Sequence, residues 1–176
     1  MIQRVLRGET DLFAELVSRY DEHVFKIVSR HIPAHEVAET AHDVFVEVFK
    51  SLSNFSPDRP FENWLSRIAV RRSYDFWRKN YRNRETPFSQ INGIDFPECE
   101  DGSSRTDLQD WLDKILERLN PEDRMVLTLC YFEEKSIRET ADLLGWSESK
   151  VKVRIHRAKG RLRDQNRYSV VEKGLG

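Results

Sequence analysis

A chain of 176 residues with a net charge of −1 suits one ordinary domain or two small ones, and its 34% charged residues, few Gly and Pro, and helically spaced Leu, Val and Ile favour an all-α fold. No apolar run approaches the ~20 residues of a bilayer span, and MIQRVLRGETDLF at the N-terminus lacks the apolar core of a signal peptide. Cys99 and Cys130 stand far apart with no metal-type spacing, so reduced thiols, a cytoplasmic location and no cofactor are expected.

Leu12, Phe13, Leu16, Val17, Tyr20, Val24, Ile27 and Val28 repeat at 3.6 residues and predict a helix to about residue 30, which Pro33 stops. A second helix is predicted from about Glu36 to Leu52, with Val37, Ala41, Val44, Phe45, Val48 and Phe49 on its apolar side. Glu39, His42, Asp43 and Glu47 line its other side. Glu39 and His42 at i, i+3 have metal-helix spacing, but the chain holds no second such pair, so no metal is expected. An acidic face beside Phe45 or Phe49 fits a surface that docks another protein.

SNFSPDRP at 53–60 reads as a loop, and a third helix follows from about Phe61 to Arg82. The stretch 61–84 interleaves Arg67, Arg71, Arg72, Arg78, Lys79, Arg82 and Arg84 with Phe61, Trp64, Tyr74, Phe76, Trp77 and Tyr81. Cations track phosphates while rings stack on unpaired bases, so this combination suits a single strand. Trp64, Leu65, Ile68 and Ala69 read as core, whereas Arg71, Arg72, Arg78 and Lys79 read as contacts to a polyanion.

The near-neutral total conceals a partition. Residues 1–85 carry 14 basic and 13 acidic side chains, residues 86–123 carry 3 and 10, and residues 124–176 carry 12 and 7. Nucleic-acid binding follows local patches rather than the mean. TPFSQINGIDFPECEDGSSRT, 86–106, lacks periodicity, and the segment 86–107 reads as a flexible acidic linker that lets the two flanking parts move independently. Periodicity resumes with Leu108, Trp111, Leu112, Ile115, Leu116 and Leu119. Asn120 then caps a helix with Pro121 at its first position and Met125, Val126, Leu129, Cys130 and Phe132 inside.

Ser136 and Glu139 form a capping box, so a short helix starts at Ile137, and Gly145 ends it in the left-handed conformation. Ser147 caps the next helix, whose apolar stripe is Val151, Ile155, Ala158 and Leu162. From Lys150 to Arg163 there are seven Lys or Arg and no acid. Steps of 100° place Ser149, Lys152, Val153, His156 and Arg157 on or beside the outer face, with Lys150 and Arg154 adding charge. One packed stripe with a cationic remainder after a Gly turn is what the DNA major groove requires. There is no Gly-rich phosphate loop, no GxSxG and no internal repeat, so an enzyme is not expected.

Four blocks in order resemble the extracytoplasmic function (ECF) sigma factors of the sigma-70 family. ETAHDVFVEVF (39–49) is similar to the family's region 2.1–2.2 pattern, and FENWLSRIAVRRSYDFWRK (61–79) to regions 2.3–2.4. LNPEDRMVLTLCY (119–131) and 136–163, with KVKVRIHRA, are similar to regions 4.1 and 4.2. His42 stands where the family commonly has glutamine, Arg71 where asparagine is common, and Val153 where serine is common.

The resemblance implies two small helical domains. Residues 1–85 are expected to form region 2, and 108–168 the helix-turn-helix of region 4, with 169–176 a short tail. Glu39, His42, Asp43, Phe45, Val46 and Glu47 are expected to dock on the β′ clamp helices of core RNA polymerase. Asn54, Phe55, Arg71, Arg72, Tyr74, Asp75, Arg78 and Lys79 are expected at the −10 element. Region 4 is expected on the β flap, with Ser149, Lys150, Lys152, Val153, Arg154, His156 and Arg157 facing the −35 element. Promoter DNA and a cognate anti-sigma factor are the other implied partners. An autonomous dimeric helix-turn-helix regulator explains 136–163 equally well but leaves the aromatic and basic 61–84 stretch without a purpose. A helical adaptor that binds only protein is a further alternative.

Overall fold

The computed structural model describes residues 2–82, 116 and 119–173, with side chains to Arg161. The expected linker, and the helix expected over 108–119 save Leu116 and Leu119, lie outside the described residues. Among the described residues the α-helices run in order: α1 Ile2–Leu6, α2 Asp11–Val28, α3 Val37–Ser51, α4 Phe61–Arg82, α5 Pro121–Leu127, α6 Ile137–Leu144 and α7 Glu148–Lys173. Among the described residues there is no strand.

The helix ends follow local chemistry. The side chain of Asn120 accepts from the Asp123 backbone N–H at 2.9 Å, and Pro121 fills the first turn, where its missing N–H costs nothing. Both halves of the Ser136–Glu139 capping box are present. Gly145 sits at φ 70°, and Trp146 N–H donates back to the Ala141 carbonyl at 2.9 Å, closing α6. Ser147 Oγ accepts from the Lys150 N–H at 3.2 Å and opens α7.

Three features were not legible in advance. The short α1 buries Val5, with Arg4 Nε bonded to Glu9 at 2.9 Å. Helix α5 widens into a π-helical turn over Thr128–Phe132, followed by Glu134 in the left-handed region at φ 54°. Helix α7 continues through 169–173, where the sequence reading expects a short tail.

Leu16, Val24 and Val28 of α2, Val44 and Val48 of α3, and Leu65 and Ala69 of α4 are essentially inaccessible, so these three helices close around one apolar centre. The two halves pack on one another through α4. The same cluster continues through Val70 and Trp77 to Met125, Val126 and Leu129, and on to Ala141, Leu144 and Val151. The reason lies in α4. Val70 and Trp77 sit about 100° around the helix from Leu65 and Ala69, so it carries a second buried stripe and packs against both α2–α3 and α5–α6. Leu116, Leu119, Leu127 and Ala158 form a smaller satellite core.

Candidate nucleic-acid interface

The cationic helix α4 divides its charges between two faces. At 100° per residue, Arg67, Arg71, Tyr74 and Arg78 share one side, while Arg72, Asp75 and Lys79 share another. The first side meets the C-terminal half. Arg67 Nε donates to Asp142 Oδ2 at 3.1 Å, and Tyr74 stacks edge-on against Trp146 at 5.6 Å between ring centroids. The Arg71 guanidinium lies so close to Gly145 that a Cβ there would run into it. Arg78 lies 6.0 Å over the Tyr74 ring. Burial first, then the charge of Glu122, raises the Tyr74 hydroxyl pKa above its ordinary value.

On the second side Lys79 is exposed, Asp75 lies 3.4 Å from Arg78, and Arg72 is tied to Glu47 of α3. Asn54 is exposed in the turn after α3. Phe55 is half-buried, its ring 5.3 Å from Phe61 and 5.5 Å from Trp64, with Tyr20 5.0 Å from Phe61. The rings that had suggested stacking on bases therefore mostly stack on one another, because a helix with two packed stripes turns its large side chains inward. Trp77 is buried and Trp64 half-buried, while Tyr81 at the end of α4 stays accessible.

The α2–α3 surface is apolar and open. A groove of about 640 Å³ runs between the helices, lined by Phe13, Val17, Phe25, His42, Val46 and Phe49 among others. Phe49 is 50% exposed and packs edge-on against Phe13 at 5.0 Å. Phe25 is 39% exposed and was not foreseen, because its exposure depends on what α2 leaves uncovered. Glu39, His42 and Asp43 are exposed, and Val46 is half-buried. Phe45 is only 6% exposed: between Val44 and Val48 it packs into the core, and what remains of its surface lines the same groove. Glu47 is half-buried against Arg72.

The helix-turn-helix of α6 and α7 presents its expected outer face. Ser149, Lys152, Val153, His156 and Arg157 are all exposed, and Val151 and Ala158 are buried beneath them. Ile155 is half-buried, and the side chain of Leu162 lies outside the described residues. Lys150 and Arg154 do not join the outer face. Both turn to Glu122 in the first turn of α5, Lys150 at 2.9 Å, and Arg154 also reaches Asp123 at 3.6 Å. Asp123 is fully buried and takes a further ion pair from Arg161. A buried carboxylate needs such partners, which draws cations from the recognition helix inward. Lys150 additionally lies 3.7 Å over the Trp146 ring.

One contact fastens the halves at the far end: the buried His31 imidazole lies 3.1 Å from Glu133, while within the N-terminal half the Trp77 indole N–H donates to the His31 carbonyl at 2.7 Å. Burial pushes the Glu133 carboxyl pKa up, but His31, with the charges of Arg30 and Lys135, outweighs this and holds it below the ordinary range. Among the described residues no helix is long and apolar enough to cross a membrane.

Comparison with known proteins accounts for this arrangement. The family described as Sigma-70 region 2 matches residues 16–83, and that described as Sigma-70, region 4 matches residues 109–162. The chain is 30% identical over 180 residues to the ECF RNA polymerase sigma factor SigW of Bacillus subtilis (strain 168), with 94% of this chain and 95% of that one covered. It is 28% identical over 174 residues to the ECF RNA polymerase sigma-E factor of Escherichia coli (strain K12), covering 90% and 88%. Among solved structures, that of CnrH in complex with the cytosolic domain of CnrY aligns over 99% of this chain and 96% of that chain, with a TM-score of 0.53 and 26% identity.

Proposed function

The chain belongs to the ECF sigma factors of the sigma-70 family, and we propose that it binds core RNA polymerase and directs it to promoters through −10 and −35 elements. The observation that carries this reading is the exposed outer face of α7, where Ser149, Lys152, Val153, His156 and Arg157 stand over a buried Val151–Ala158 stripe. Such a face suits major-groove edges, with cations positioning on phosphate. The protein makes and breaks no bonds; polymerase does the chemistry, in the cytoplasm.

Region 2 docks through Glu39, His42, Asp43 and Val46 beside the Phe25–Phe49 groove. A cationic clamp surface, or a cognate anti-sigma factor, is the partner of this acidic and apolar combination. Region 4 docks on the β flap. Asn54, Arg71, Asp75, Arg78 and Lys79 meet the −10 strand directly, whereas Tyr74, half-buried against Trp146, becomes available only when the C-terminal half leaves α4. Core polymerase holds the two halves apart along the promoter and so completes the −10 surface.

Fluorescence anisotropy on a matched promoter duplex at near-physiological salt tests this. Weak, salt-sensitive and poorly specific binding is expected of the isolated chain, with specificity arising in holoenzyme. Nanomolar sequence-specific binding by the chain alone, unchanged on adding core enzyme, would replace this reading with an autonomous regulator.

A further inference from the structure

Val153 is out of place by ordinary criteria. It is 48% exposed at the centre of the outer face of α7, with Ser149 one turn before it, Arg157 one turn after it, and Lys152 and His156 beside it. Valine is a mediocre helix former, so propensity does not select it at a solvated position. Core packing does not select it either, because the buried stripe of this helix runs through Val151 and Ala158. The flanking Lys150 and Arg154 are drawn inward to Glu122, which leaves Val153 as a single apolar side chain bordered by Lys152 and Arg157.

We propose that Val153 is a specificity-determining residue that packs its methyl groups against the C5-methyl of one thymine in the −35 major groove. The inference rests on the reading of α7 as the −35 helix and adds to it the base that is read. A valine can neither donate nor accept a hydrogen bond. Set against the polar edge groups of guanine, cytosine or adenine it leaves them desolvated without a partner, whereas thymine alone offers a methyl group there. Lys152 and Arg157 fix the register on phosphate and base edges while Val153 discriminates at a single base pair.

The test uses reconstituted holoenzyme and a promoter library randomised over the −35 segment. Wild-type protein is expected to enrich thymine at one position, which Val153→Ala relaxes while preferences at the other positions persist. Replacing that thymine with deoxyuridine removes only the methyl group. It is expected to lower wild-type initiation roughly fourfold, the effect of unburying one methyl, and to leave Val153→Ala unchanged. No deoxyuridine-sensitive position, or equal sensitivity in Val153→Ala, overturns the proposal while leaving the −35 reading intact. Undiminished initiation from promoters with scrambled −35 segments overturns both. Circular dichroism of Val153→Ala is expected to match wild type, as for an exposed position.

Discussion

The guanidinium of Arg124 lies 3.6 Å above the ring of Trp77, and the same indole donates its N–H to the carbonyl of His31. One side chain of α4 therefore joins the end of α2 to α5. Trp77→Ala is expected to lower unfolding free energy by ~3–5 kcal/mol. Trp77→Phe keeps a ring under Arg124 but loses the hydrogen bond and is expected to cost about 1–2 kcal/mol. Urea unfolding followed by circular dichroism measures both. Equal losses would mean that the ring, rather than its N–H, supplies nothing to the joint.

Arg154 and Arg157 lie less than one helical turn apart and are expected to fail in different ways. Arg154→Ala deprives Glu122 and the buried Asp123 of a partner, so stability falls by about 1–3 kcal/mol. Arg157→Ala leaves stability within ~0.5 kcal/mol but weakens −35-dependent transcription by the equivalent of ~1–3 kcal/mol. Thermal unfolding and in vitro transcription separate the two. Undiminished transcription with Arg157→Ala would remove that residue from the DNA face.

On α3 the expected split is between surface and core. Asp43 is exposed, so Asp43→Arg is expected to reduce core-polymerase binding several-fold while leaving the helical circular dichroism signal intact. Phe45 is buried, so Phe45→Ala is expected to lose ~3–5 kcal/mol of stability before any specific effect on docking is seen. Size-exclusion co-elution with core enzyme, paired with thermal melts, measures both. A stable Phe45→Ala that no longer binds would return Phe45 to the docking surface.

Glu133 makes the contact between the halves sensitive to acid. Its carboxyl is held below the ordinary range, so it contributes stability that is fully present above about pH 4.5 and is lost as pH falls through the lower folded value. Glu133→Gln is expected to be less stable than wild type by ~1–2 kcal/mol at pH 7, with the difference closing on acidification. Urea unfolding at pH 7, 5 and 3 tests this. A constant difference across that range would show that Glu133 acts by shape rather than charge.

Features with causes inside a few residues were legible in the sequence. The Asn120–Pro121 start, the Ser136–Glu139 box, the Gly145 stop and the Ser147 cap each depend on groups three or four positions apart, so local chemistry suffices. The outer face of α7 was legible for a similar reason, since 100° steps from a buried stripe locate its opposite. The destinations of long charged side chains were not. Lys150, Arg154 and Arg72 are cationic in the sequence, but Glu122 and Glu47 draw them aside, and those acids come near only when α5 meets α7 and α3 meets α4. Phe45 and Phe49 were equally apolar in the sequence, and packing buried one and left the other half-exposed. The closure of the two halves over α4 was also a tertiary decision. Val70 and Trp77 form a second stripe that has value only when a separate part of the chain arrives to cover it.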